Sequence, residues 1–277
     1  ERAVRLDPGL TPLARRSRAH RSSPACQTAR VTAPPPICAS VLEPTVPAML
    51  ARMAAAAPWC ALVEARLDAL TAPPDDDALS ALVRGAPRPL LVTCRPRREG
   101  GAFDGDEAAR LALLAGAAAL GAAWVDVEWD AAPALPPLPS STRVLVSRHL
   151  RWGQASDPEA LLRALREAPG DAQKLAVPVA STEEALRLLA RCAREARPTA
   201  CVAMGTAGMI SRVAGTRWGA PWVYASADPA RPAAPGSPGA EALARVLAGR
   251  TPGPATALFG VAGRPITHSR SPRVHGA

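Results

Sequence analysis

Lysine is nearly absent from this chain. Of its 33 basic residues one, Lys174, is a lysine and the other 32 are arginines. Aromatic side chains make up only 3%, with one tyrosine and two phenylalanines. The core must therefore come from Ala, Leu and Val, within an apolar share of 48%. Basic stretches interleaved with aromatics, the footprint of a nucleic-acid binder, are also missing. The formal charge of +9 is uneven: residues 1–36 hold seven Arg against Glu1 and Asp7, which leaves +4 spread over the other 241. The six cysteines (Cys26, Cys38, Cys60, Cys94, Cys192, Cys201) form no CxxC and stand at no metal-ligand spacing with His. Free thiols in a reducing, cytoplasmic setting fit better than a metal centre. Long hydrophobic runs are lacking too: the longest uncharged apolar stretch, Leu111 to Val125, falls short of the ~20 residues of a membrane span. The N-terminus has arginines but no apolar segment of a secretory signal. Neither nucleic acid nor membrane is an expected partner.

What is present begins after "APPP" at 33–36. Residues 1–36 show no sustained period and read as a disordered basic and Pro-rich extension. From Ile37 onward, eight short strand-type runs follow: 37–42, 62–67, 89–95, 123–129, 143–149, 173–179, 199–205 and 221–226. Helical spacing fills 46–57, 75–84, 106–121, 157–168, 181–197 and 239–249. Several of these start on a cap, including Thr45, Asp157 and the capping-box pattern Ser181-Thr-Glu-Glu184. No Gly-rich turn follows the first strand, so an open doubly wound sheet is disfavoured. The alternation predicts an α/β protein, a (β/α)8 TIM barrel over 37–249. Residues 250–277 read as a linker followed by the first strand of a second, truncated domain.

The lone lysine lies inside "AQKLAVPV" at 172–179, an apolar strand where an ammonium is costly to bury. Lysine can lose its proton and attack a carbonyl, whereas guanidinium stays charged. The alternative is a surface lysine on an edge strand. In a barrel of this kind the C-terminal strand ends share one mouth. Polar groups collect there: Glu64 and Arg66 on strand two, Arg95 and then Glu99 after strand three, Asp126 and Glu128 on strand four, His149 on strand five, Lys174 on strand six. Strand seven leads into "MGTAGMISR", a Gly-rich turn opening a short helix with Arg212, whose amides and guanidinium would suit a carboxylate. Arg66, Arg95 and Arg212 around Lys174 would lower its pKa by burial and like charge. Each element has a bland counterpart, such as a structural histidine or a Glu-x-Arg pair that closes the barrel.

The segments "VEARLD" (63–68), "TCRPRREGG" (93–101), "VDVEW" (125–129), "SRH" (147–149), "KLAV" (174–177) and "MGTAGMISRVAG" (204–215) together resemble type I 3-dehydroquinate dehydratase. The resemblance implies Schiff-base chemistry of the shikimate pathway on the small molecule 3-dehydroquinate, with no metal and no cofactor. Lys174 would condense with the C3 ketone. His149 would take the C2 proton and return it to the departing C1 hydroxyl, with Glu99 tuning it. Arg212 would pair with the substrate carboxylate, Glu64, Arg66 and Arg95 would hold ring hydroxyls, and Met204 would pack on the ring. In "AAPGSPG" Ser237 stands where the family places glutamine in a loop over substrate, and Leu150 follows His149 where the family often has an acid. The tail "GVAGRPITHSRSPRVHG" resembles the opening of shikimate dehydrogenase, with Ser269 and Ser271 at its shikimate-binding serines. Hydride transfer also needs a catalytic lysine beside the nicotinamide-binding unit, whereas the one lysine here lies in the barrel and no Gly-rich nicotinamide-binding turn follows the motif, so no such activity is expected of it. Another class I Schiff-base aldolase, or an inactive barrel serving as a scaffold, are the alternatives, and a homodimer is left open.

Overall fold

The computed structural model describes residues 3–5, 34–154 and 157–261. The chain divides into two compact units, Ala33–Pro254 and a second drawn from Glu1–Thr32 with Ala255–Ala277. In the second, Ala3–Arg5 pairs antiparallel with Phe259–Val261. Residues 259–261 thus form a strand within the stretch read as linker and second-domain start, and residues 3–5 form one within the extension read as disordered. The rest of that extension, and the tail with Ser269 and Ser271, lie outside the described residues.

The larger unit is a ring of parallel strands: β1 (Ile37–Val41), β2 (Leu62–Arg66), β3 (Leu90–Thr93), β4 (Trp124–Glu128), β5 (Arg143–His149), β6 (Ala172–Pro178), β7 (Thr199–Met204) and β8 (Val223–Ser226). Hydrogen-bonded neighbours run in sequence from β1 to β7, and β8 pairs with β1. No ladder joins β7 to β8, so the barrel is nearly closed with one seam. The strands are buried on both faces, which is why they read as apolar runs rather than as an alternation. Outward residues such as Ile37, Ala39 and Val41 pack with Met49 and Met53 of helix α1 (Val46–Ala56) in the main core. Inward residues Cys38, Leu62, Leu91, Leu145, Ala172, Ala200 and Trp222 form a separate plug in the barrel floor, with Trp124 against it.

The outer layer continues with α2 (Asp76–Gly85), α3 (Glu107–Ala119), α4 (Pro158–Glu167), α5 (Thr182–Cys192), α6 (Ile210–Ala214) and α7 (Ala240–Leu247). The crossover from β4 to β5 has only a single 3-10 turn at Ala132–Ala134. Its sequence, "DAAPALPPLPSST" at 130–142, has too many prolines to sustain a helix. Side-chain caps start five of the helices: Thr45, Asp75, Asp106, Asp157 and Ser181 each accept from a first-turn amide. The expected capping box is modified, because the Glu184 carboxylate takes the amide of Ala180 rather than that of Ser181. Helix α5 ends at Cys192, short of the predicted 197.

Candidate active site

Two-residue alternation carries the inward side chains upward in layers. Above the apolar floor, Ser40, Glu64, Thr93, Asp126, Ser147, Lys174 and Tyr224 follow two positions after floor residues of their strands. One step higher come Arg66, Arg95, His149, Ala176 and Met204. The register pairs Ser147 with Lys174 and His149 with Ala176, so Lys174 sits one layer beneath His149 rather than beside it. A cavity of about 400 Å3 opens over these layers. It is lined by all nine site residues predicted in the barrel: Glu64, Arg66, Arg95, Glu99, His149, Lys174, Met204, Arg212 and Ser237.

Lys174 is buried, which excludes the surface alternative. Its Nζ lies 3.2 Å from Asp126 Oδ2 and 3.7 Å from Glu64 Oε1, with the Tyr224 ring centroid 4.1 Å away. The expected crowd of arginines around it is not what is found: the charges that touch the ammonium are carboxylates. Those carboxylates are fixed in turn. Glu64 accepts from the Thr93 hydroxyl at 2.8 Å and from the Ser40 hydroxyl. Asp126 accepts from the Ser147 hydroxyl at 2.5 Å and pairs with Arg95 Nη2 at 2.8 Å. Burial pushes the Asp126 carboxyl up, but Arg95, Lys174 and the Ser147 hydroxyl outweigh it and hold it at about 2.

Arg95 is less free than predicted. Besides Asp126 it pairs with Glu128 at 2.5 Å and donates to Ser147 Oγ at 2.7 Å. Glu128 in turn meets the wholly buried Arg110 of α3 at 2.6 Å. Arg95 thus lines the cavity while its guanidinium serves the charge network beneath. Arg66 is held by a two-pronged contact to Asp68, at 2.8 and 2.7 Å. Asp68 also accepts the amides of Arg95 and Ala102, both at 3.1 Å, and so ties β2 to the loop that carries Glu99.

His149 Nδ1 lies 3.2 Å from Glu99 Oε2, and Glu99 also accepts the His149 amide and Arg148 Nη1, each at 2.9 Å. Burial, with Arg95, Lys174, Arg66 and Arg148 nearby, holds the imidazole well below its usual pKa, so it is neutral at pH 7. Donation of its Nδ1–H to Glu99 leaves the Nε2 lone pair as the basic site. Burial also lifts the Glu99 carboxyl to about 7, with Glu128 adding to the rise and Arg95 and Arg148 opposing it.

Arg212 is buried, and no carboxylate among the described residues lies within ion-pair distance of it. Among the described residues its guanidinium donates to the Tyr224 carbonyl across the seam, at 3.4 Å. Burial brings its pKa down to about 10. A desolvated guanidinium without an acid is a ready anion site. Two backbone amides of the predicted carboxylate site are already engaged: the Gly205 amide donates to Pro235 O and the Gly208 amide to Gly205 O, both at 3.0 Å. The first of these bonds docks the loop carrying Ser237 onto the turn after β7.

Several residues in or behind the cavity have no role assigned by the sequence. Ser40 and Tyr224 are detectable by the two-step alternation within their strands, and Asp126 stands out in the sequence only as a polar residue of its strand. Asp68 follows its strand and had no periodic signal. Trp152, exposed at the rim, lies in an irregular loop.

The type I 3-dehydroquinase family model matches residues 37–252. The chain belongs to this family. Among its relatives, the 3-dehydroquinate dehydratase of Desulfotalea psychrophila is 32% identical over 205 residues, covering 70% of this chain and 88% of that one. The chloroplastic bifunctional 3-dehydroquinate dehydratase/shikimate dehydrogenase of Arabidopsis thaliana is 31% identical over 247 residues, 86% of this chain. The chain spans only 41% of that protein's length. The crystal structure of 3-dehydroquinate dehydratase from Geobacillus kaustophilus superposes with a TM-score of 0.66 at 28% identity, over 77% of this chain and 91% of that one. No helix among the described residues is long and apolar enough to cross a membrane.

Proposed function

We propose that this dehydroquinase-family barrel dehydrates 3-dehydroquinate to 3-dehydroshikimate through an imine on Lys174. The observation that carries the proposal is the conjunction, in one cavity, of the sole lysine, a neutral histidine above it and a buried arginine with no acid partner among the described residues. The Lys174 nitrogen bonds to the C3 ketone carbon. The two protons it loses leave with the carbonyl oxygen as water, relayed by His149, and the nitrogen becomes an iminium. His149 Nε2 then takes the C2 proton, and the C2–H electrons move into the iminium to give a neutral enamine. The C1 hydroxyl departs with that proton as water, the C1–C2 double bond forms, and the iminium is restored. Water cleaves the iminium to release product and the Lys174 ammonium, which returns the two protons lost on imine formation.

Glu99 holds the His149 ring and fixes its tautomer. Arg212 receives the substrate carboxylate, since it alone of the three predicted arginines has no carboxylate partner among the described residues. Arg66 and Glu64 remain the groups placed to meet ring hydroxyls, Met204 packs on the ring, and Ser237 reaches it from the docked loop. The five cysteines among the described residues are buried free thiols, in keeping with a cytoplasmic or other reducing compartment. For residues 250–277, the motif "ITHSRSP" and the two-activity name of the Arabidopsis relative support reading them as the opening of a shikimate dehydrogenase domain. The test of the activity is the growth of conjugated enone absorbance when 3-dehydroquinate is added. Absence of that signal from folded protein sinks the proposal.

A further inference from the structure

Three of the chain's nine aromatic residues are gathered around and beneath Lys174: Tyr224 in its own layer, Trp222 and Trp124 in the floor below. Trp124 meets Trp222 edge-on with centroids 5.0 Å apart, and Trp222 meets Tyr224 at 6.4 Å and 69°. Tyr224, the only tyrosine, is buried on β8, lines the cavity and turns its ring toward Lys174 Nζ, 4.1 Å from the centroid. In a protein so poor in aromatics an aliphatic side chain would have filled this position as well. A ring does something more at that distance, because its negative face attracts a cation.

Resting on the imine reading above, we propose that Tyr224 is a π platform that stabilises the cationic iminium formed on Lys174. The nitrogen's other contacts change character when the imine forms. As an ammonium it carries three N–H groups and can serve both Asp126 and Glu64. As an iminium it carries one N–H, its second bond now being to the substrate carbon, so at least one of those contacts loses its hydrogen bond. Attraction to the ring face needs no hydrogen and persists through the change. It also acts on a flat, delocalised cation that can lie parallel to the ring. The enamine nitrogen is neutral and gains nothing from the ring. Tyr224 therefore favours the two iminium states over the neutral enamine.

The test varies the electron density of the ring at nearly constant shape. Tyr224→Phe is compared with phenylalanine carrying one, two and three ring fluorines at the same position, and with Tyr224→Leu. The readout is the fraction of enzyme trapped by borohydride with 3-dehydroshikimate, together with kcat and KM. The expected result is that Tyr224→Phe retains trapping, that each fluorine lowers it, and that Tyr224→Leu loses about tenfold or more, in line with a desolvated cation–π contact. Equal trapping across the fluorine series overturns the proposal, as does a Tyr224→Phe variant as impaired as Tyr224→Leu, which would assign the effect to the hydroxyl. Wild-type protein that gives no adduct contradicts the imine reading instead, so the two failures are told apart.

Discussion

At the scale of single residues, His149 and Glu99 pull in opposite directions as pH changes. The imidazole is held below its ordinary range, so the folded protein resists the proton that the unfolded chain accepts below about pH 6.5. That group costs stability as pH falls. Glu99 is raised to about 7, so between about 4.5 and 7 the folded state binds a proton that the unfolded state has released. Its contribution is present at low pH and is lost as pH rises through that window. The stability of wild type relative to Glu99→Gln is accordingly expected to fall by roughly 3 kcal/mol between pH 4.5 and 7, read by urea unfolding at several pH values. A difference that grows with pH would mean Glu99 is ionised throughout. His149→Ala is expected to lower turnover by about 10²–10⁴-fold while still allowing imine formation, because nucleophile and proton carrier are separate groups. Near wild-type turnover would make the histidine structural. Arg212→Lys keeps the charge but not the planar fork, so KM should rise by about tenfold or more; an unchanged KM would move the carboxylate site elsewhere. These residues were legible because chemistry-bearing side chains stood out against a composition of Ala, Leu and Arg, as a lone lysine does. The carboxylate surround of Lys174 was not legible, because sequence shows which charges reach the mouth and not which of them pair with each other.

Among the elements, the loop at 233–237 depends on one glycine. Gly236 has φ +75°, and a Cβ there would fall 2.6 Å from the Gly205 carbonyl carbon and 2.7 Å from its oxygen. Gly219, with φ +86°, has open space at the same test. Gly219→Ala should therefore cost only the backbone strain, about 1–2 kcal/mol. Gly236→Ala must also push the loop off the Gly205 turn and weaken the Pro235–Gly205 hydrogen bond. The expected outcome is a KM raised at least severalfold in Gly236→Ala and unchanged in Gly219→Ala, measured by steady-state kinetics. Equal KM values would show that the loop takes no part in binding. The strands were readable within a residue or two because each is a short apolar run bounded by turn residues. Helix ends were less so: Ala- and Arg-rich sequence continues past Cys192 without a stop signal, and the chain leaves the helix there all the same. The seam between β7 and β8 has no local signature, because pairing across it is decided by closure of the whole ring.

For the whole molecule, family membership rests on residues 37–252 and the contacts on a unit of Ala33–Pro254. Removal of residues 255–277 is expected to leave dehydration within about twofold of the full chain, since the inward layers and the loop over them all lie before Pro254. Collapse of activity on that deletion would make the tail a working part of the barrel. The claim on which everything else rests is that the one lysine is the nucleophile. Incubation with 3-dehydroquinate and borohydride, followed by peptide mass analysis, tests it most directly. The account predicts a single adduct with the mass of one reduced ligand, on the peptide containing Lys174. A turning-over enzyme that yields no adduct, or one labelled elsewhere, would contradict it.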